Sequence, residues 1–225
     1  MNIIRYYGVI ILINAILFDL DGTLLNTLCD LTSAMNYAKD GFGYKPNTLE
    51  DTRRYIGNGI ANFIRKSTNF DEEHFDEISK RFKEYYLKNC DNNTTPYDGI
   101  YEVLDYLKSK NIKLGVISNK AIYATEILIN NHFPNYFDII IGDGMGIAKK
   151  PKPDTILYAC EKLNARVGDI IYIGDSDVDI ETINNSGCGG LIVSYGFRDK
   201  KDLLNKINRV YDTPMELLNK LKEIL

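Results

Sequence analysis

Five short runs of continuous apolar residues recur along the chain: "INAILF" (13–18), "IKLGVIS" (112–118), "FDIIIG" (137–142), "DIIYIG" (169–174) and "GLIVSYG" (190–196). None alternates strictly between apolar and polar positions, so each suits a strand covered on both faces. Between them lie "IYEVLDYLKSK", "KAIYATEILINNH", "PDTILYACEKLN" and "DSDVDIETINNS", whose apolar residues recur at helical spacing. Strands alternating with helices predict a parallel sheet with right-handed crossovers, a doubly wound α/β core.

The alternation breaks once. From about residue 26 to 96 no comparable strand occurs, and three or four amphipathic helical segments appear instead: "TLCDLTSAMNYAKDGFG", "NTLEDTRRYIG", "GIANFIRKS" and "DEEHFDEISKRFKEYYLKN". An all-helical insert after the first strand predicts a small cap domain over 26–96, left through "DNNTTPYDG", on an α/β core of 1–25 and 97–225. The apolar start "MNIIRYYGVIILINAILF" carries one early Arg but no small-residue cleavage site, and it is too short and interrupted for a membrane span. Its last part reads as the first strand, and roughly the first dozen residues as an extension ahead of the core.

Composition narrows the class. At 225 residues with 44% apolar content the chain can bury a substantial core. A formal net charge of −4 without any basic block argues against nucleic acid as a partner. Cys29, Cys90, Cys160 and Cys188 are far apart, with no metal-finger spacing, and read as reduced buried thiols of a cytoplasmic protein. The two histidines, His74 and His132, neighbour no candidate nucleophile in sequence.

In an open α/β sheet the ligand site forms where chains leave the carboxyl ends of the strands. The first strand releases Asp19 and Asp21; "IKLGVIS" releases Ser118 and Asn119, with a helix expected to begin near Asn119. "AKKPKPD" supplies Lys149, Lys150 and Lys152, and "GDSDVD" supplies Asp175, Asp177 and Asp179. Burying unpartnered carboxylates costs several kcal/mol, so Asp19 and Asp21 need solvent or a positive partner. Clustered carboxylate oxygens suit Mg²⁺, which binds through one or two carboxylates plus substrate phosphate; hydroxyl, amide and lysine groups would grip the remaining phosphate oxygens. "DSDVDIETINNS" is not a calcium loop, because Ile180 stands where Gly is needed and Ser186 where the bidentate Glu belongs. Asp177 reads as a favourable charge in a first helical turn.

These segments, in this order, resemble the haloacid dehalogenase-like hydrolase superfamily: "DLDGT" (19–23), "ISN" (117–119), "KPKP" (150–153) and "GDSDVD" (174–179). The resemblance implies a Rossmann-like core in which Asp19 is the nucleophile and Asp21 the general acid and base, with Ser118 and Lys150 gripping phosphate. It also implies a Mg²⁺ site made by Asp19, the Asp21 main-chain carbonyl and Asp175, with Asp179 in support. The second aspartate favours a phosphatase over a dehalogenase.

Within that superfamily, "RRYIGNGIANFIRKS" (53–67), "TPYDGI" and "SYGFRDKKDL" (194–203) resemble the phosphoglycolate phosphatase-like branch. Gly57, Asn58 and Gly59 are not a dinucleotide fingerprint, since Asn62 stands where a third glycine would be needed. They are expected to form a cap loop whose N–H groups, with Arg53 or Arg54, close over a small anionic substrate. The resemblance thus implies a Mg²⁺-dependent phosphatase of a small phosphorylated metabolite, phosphoglycolate first, acting as a monomer or homodimer without a membrane partner. A pyrophosphatase, a 5′-nucleotidase, a sugar phosphomutase or a phospho-ligand sensor on the same architecture stand as alternatives; "GD" at 174–175, where phosphomutases usually carry an acidic pair, favours hydrolysis.

Overall fold

The first apolar run forms β3 (Ala15–Phe18), all four residues buried. A computed structural model describes residues 3–6 and 9–225, and side-chain surroundings from Ile13 onward. Ahead of β3, β1 (Ile3–Tyr6) and β2 (Val9–Leu12) pair antiparallel as a separate two-stranded sheet rather than as an edge of the main one.

The other apolar runs become β6 (Lys113–Ala121), β7 (Ile139–Asp143), β8 (Ile170–Gly174) and β9 (Gly189–Ile192). With β3 they form a five-stranded parallel sheet in the order β7-β6-β3-β8-β9. The chain enters at the centre, builds outward through β6 and β7, then returns to the other side of β3 for β8 and β9. That reversal opens a crevice at the carboxyl end of β3, where ligands bind in open sheets of this kind.

Alternation along each strand feeds two cores. Ile16 and Phe18 face one side with Leu114, Val116 and Ile173, under Leu104 and Leu107 of α5 (Ile100–Ser109) and Leu128 of α6 (Ile122–His132). Ala15 and Leu17 face the other with Ile117 and Tyr172, under Ile156, Ala159 and Leu163 of α7 (Asp154–Leu163). Coverage on both faces is the reason these strands read as unbroken apolar runs. α8 (Asp177–Ser186) follows β8, and two helices not expected from the sequence, α9 (Lys200–Leu204) and α10 (Pro214–Ile224), close the chain. α10 adds Leu217 and Leu221 to the first core.

The helical insert comprises α1 (Leu28–Lys39), α2 (Leu49–Tyr55), α3 (Ile60–Ser67) and α4 (Phe75–Asn89). The chain enters it through β4 (Leu25–Asn26) and returns through β5 (Thr95–Pro96), which pair antiparallel. Its interior is built around Phe82, with the Phe63 ring edge-on at 5.9 Å and the Tyr86 ring stacked at 5.5 Å. These rings belong to the same continuous apolar cluster as Phe18 and Leu20.

Two local expectations need correction. β6 does not stop at Ser118: an irregularity after Ile117 lets the strand run on until Ala121 pairs with Asp143, so α6 starts at Ile122 and Asn119 is a strand residue. Cys90, Cys160 and Cys188 are buried free thiols, but Cys29, on the outer face of α1, is exposed.

Candidate active site

The crevice is lined by Asp19, Asp21, Ser118, Asn119, Lys120, Lys150 and Asp175 from the strand ends. Ile56, Gly57, Gly59, Phe63, Phe82 and Tyr86 of the helical insert roof it, enclosing a cavity of about 70 Å³ with room for several waters. The turn after β3 is tight: Gly22 has φ +86°, and a Cβ there would stand 2.4 Å from Asp175 Oδ2. Only glycine lets this loop meet the one after β8.

Lys150 is the electrostatic centre. Its buried ammonium lies 2.9 Å from Asp19 Oδ1, 2.8 Å from Asp179 Oδ1 and 2.7 Å from the Tyr172 hydroxyl. Burial alone would lower its pKa, but the charges of Asp179 and Asp19 more than offset this and raise it. Asp179 also accepts from Ser176 N and Oγ, in a capping box that starts α8. Burial would raise its pKa, yet Lys150 and these donors hold it below the usual range. Both Asp179 oxygens are therefore engaged, Oδ1 by Lys150 and Tyr172 and Oδ2 by Ser176.

Asp19 and Asp175 differ. Burial, the largest influence, pushes Asp19 well above the ordinary carboxylate range against the pull of Lys150. Asp175 is pushed up to about 7, by burial first and then by the charge of Asp179, although Phe197 N donates to its Oδ2 at 2.6 Å. Ligand oxygens of Asp19, Asp175 and Asp179 lie within 4.8 Å of one another. The cluster is hard oxygen donors without sulfur or imidazole, so it fits Mg²⁺ rather than a softer metal.

Ser118 is buried beside these groups, its Oγ accepting from Lys120 N at 3.1 Å. Asn119 Nδ2 donates to Lys150 O at 3.0 Å and to Gly57 O at 3.3 Å, so its amide links β6, the lysine loop and the helical insert. Two carbonyls therefore hold its side-chain amide group. Its Oδ1 is buried without a partner among the described residues.

The expected cap residues divide. Gly57 and Gly59 line the cavity; Asn58 between them does not. Neither Arg53 nor Arg54 lines it: Arg53 pairs with Asp199, in the loop after β9, at 2.8 Å, and the exposed Arg54 pairs with Glu50 at 2.9 Å. The arginine at the cavity is Arg198, in the loop after β9. It donates to the carbonyls of Arg53 at 2.7 Å and Ile56 at 2.5 Å, occupying the negative end of the α2 dipole, while Asp177 orients its Nε at 3.2 Å. A Cβ on Gly57, whose φ is +115°, would come within 2.8 Å of the guanidinium. Lys120 and Tyr86 also line the cavity, and neither was a candidate from the sequence.

His74 packs on Phe42 at 4.7 Å and His132 bonds Asp91 at 2.5 Å; neither lines the cavity. No helix among the described residues is long and apolar enough to cross a membrane.

The model of the haloacid dehalogenase-like hydrolase family matches residues 16–193. Curated relatives named phosphoglycolate phosphatase include one from Nitrosospira multiformis, 31% identical over 85% of this chain and 87% of its own. Another, from Aquifex aeolicus, is 32% identical over 81% and 85%. A crystal structure of a provisionally assigned phosphoglycolate phosphatase from Lactobacillus delbrueckii subsp. bulgaricus superposes with a TM-score of 0.86 at 31% identity, covering 92% of this chain and 98% of that one. The chain belongs to the haloacid dehalogenase-like hydrolases, and it is an enzyme of that class. Within the family its likeness runs to relatives that carry the phosphoglycolate phosphatase name.

Proposed function

We propose that this protein is a Mg²⁺-dependent phosphatase of a small phosphorylated metabolite, phosphoglycolate first, working through phosphorylated Asp19. The observation that carries the reading is the meeting of Asp19, Asp21, Ser118, Lys150 and Asp175 around one cavity at the carboxyl ends of β3, β6 and β8. The names of the curated relatives support the ester class.

In this reading Asp19 Oδ1 is held by Leu20 N at 2.7 Å and by Lys150, which leaves the other oxygen to attack phosphorus. The Asp19–phosphorus bond forms as the ester bond breaks, and Asp21 gives its proton to the leaving oxygen. Asp21 then takes a proton from the water that attacks the phosphoenzyme, freeing phosphate and the Asp19 carboxylate. Ser118 and Lys150 grip non-bridging oxygens. Mg²⁺ held by Asp19, Asp175 and the Asp21 carbonyl would supply positive charge against the repulsion between Asp19 and an anionic phosphate.

The cavity beneath the helical insert supports a small substrate, and Arg198 offers a positive charge for a second anionic group. The test is phosphate release from 2-phosphoglycolate, pyrophosphate, nucleoside monophosphates, pyridoxal phosphate and sugar phosphates, each with Mg²⁺ and with EDTA. A metal-dependent preference for phosphoglycolate supports the full reading. Broad metal-dependent activity removes the named substrate, and no activity removes the phosphatase.

A further inference from the structure

Lys120 lies two residues beyond Ser118, at the end of β6, and it is buried against the cavity. Its ammonium stands 3.0 Å from Asp21 Oδ1 and donates to the Tyr86 hydroxyl at 2.6 Å. It also lies over the Tyr86 ring, 4.5 Å from the centroid. Tyr86 comes from α4, is buried, and stacks on Phe82. Three separated segments therefore meet at one cation: the turn after β3, the end of β6 and the helical insert.

Asp21 is held on one side only. Thr27 Oγ1 donates to the same Oδ1 at 2.5 Å, and Oδ2 makes no hydrogen bond among the described residues. A carboxylate pinned through one oxygen presents the other in a fixed direction, as a proton donor to a leaving group must be. A salt bridge serving stability alone would need neither a place on the cavity wall nor a tyrosine from the insert.

We infer that Lys120, braced by Tyr86, is a positioning residue that fixes the Asp21 carboxylate by Oδ1 so that Oδ2 faces the leaving oxygen of the substrate; this rests on the phosphatase reading. Removing Lys120 leaves Asp21 tethered by Thr27 alone and free to turn. The loss should then follow the need for a proton. An alkyl ester leaves as an alkoxide and needs one, whereas p-nitrophenolate departs without it.

The experiment compares kcat/KM on phosphoglycolate and on p-nitrophenyl phosphate, with Mg²⁺, for the unaltered protein, Lys120→Met, Lys120→Arg and Tyr86→Phe. kcat/KM ends at phosphoenzyme formation, so the later hydrolytic step does not enter. Lys120→Met is expected to lower kcat/KM about 10²-fold on the alkyl ester and about tenfold less on the nitrophenyl ester, with partial recovery in Lys120→Arg. If Lys120→Met fails to fold, Tyr86→Phe decides, since it removes only the bracing hydroxyl and keeps the stack; a smaller loss confined to the alkyl ester is expected. Equal losses on both esters, or none, overturn the inference. Turnover of neither ester by the unaltered protein overturns the phosphatase reading and the inference with it.

Discussion

Lys150 stands between Asp19 and Asp179, close enough to bond both, and all three are buried. Asp179, with both oxygens satisfied, anchors the cation, while Asp19 shares it from the cavity side. The same arrangement leaves Asp19 as the carboxylate that burial penalises most visibly, its pKa raised where that of Asp179 is lowered. The group facing the cavity is thus the less satisfied of the two.

Asp19→Asn therefore separates activity from stability. The amide fills the same volume without a nucleophilic oxygen, and turnover is expected to disappear. The neutral side chain also escapes the cost of burying a charge, while Lys150 keeps Asp179, so Tm in EDTA is expected to equal or exceed that of the unaltered protein. Appreciable hydrolysis by a preparation free of other phosphatases would remove Asp19 from the nucleophile's role.

Arg198, rather than Arg53 or Arg54, is expected to govern selection of a second anionic group. Its fork serves two carbonyls of the helical insert, so lysine cannot replace it. Arg198→Lys is expected to raise KM for phosphoglycolate about tenfold more than for p-nitrophenyl phosphate. Arg54→Ala loses only an exposed pair with Glu50 and is expected to leave both values unchanged. Steady-state kinetics check this, and equal KM effects of Arg198→Lys on the two esters would count against an anion-selecting arginine.

The parts of the site legible in the sequence are those at the carboxyl ends of the apolar runs. Asp19, Ser118 and Asp175 each follow an unbroken apolar run, and parallel strands deliver their carboxyl ends to one edge. Arg198 stands within "SYGFRDKKDL", but the sequence does not tell that its loop, which follows β9 at the sheet's outer edge, folds back against α2. Lys120 was hidden by placing the start of a helix at Asn119, which would have turned the residue outward. Tyr86 sits in an amphipathic helix whose pattern predicts a buried face, Ile78, Phe82 and Tyr86, but not that this face meets the crevice. Arg53 and Arg54 misled because their motif context gives no direction, and direction is what helix phase decides.

Asp30 ties the exit of the helical insert to its entry. From the first turn of α1 its buried carboxylate accepts from Asn93 N at 2.9 Å, from Asn93 Nδ2 at 2.9 Å and from Thr94 Oγ1 at 2.9 Å, just ahead of β5. Asp30→Ala leaves these donors without an acceptor and is expected to cost about 2–3 kcal/mol. The measurements are Tm and limited proteolysis, with new cleavage expected between residues 89 and 96. An unchanged Tm would show that the β4–β5 ladder alone holds this crossing.

Lys39 carries a pH dependence of defined sign. At the end of α1 its buried ammonium donates to Ser67 O at 3.2 Å and to Asn47 Oδ1, with no carboxylate bonded to it among the described residues. Burial lowers its pKa to about 8, opposed by the more distant charge of Asp51. Between that value and the ordinary lysine range the unfolded chain holds a proton that the folded chain has lost, so stability rises with pH across this window. Below about 8 the cost of burying the charge is fully present, and a depression of this size corresponds to about 3 kcal/mol at most. Lys39→Met removes the titrating group, so the difference in Tm between variant and unaltered protein is expected to shift in favour of the unaltered protein as pH rises from about 7.5 to about 10. A difference that stays flat over that range would mean that Lys39 keeps its proton in the fold, with water or Asp51 solvating it better than its buried setting suggests.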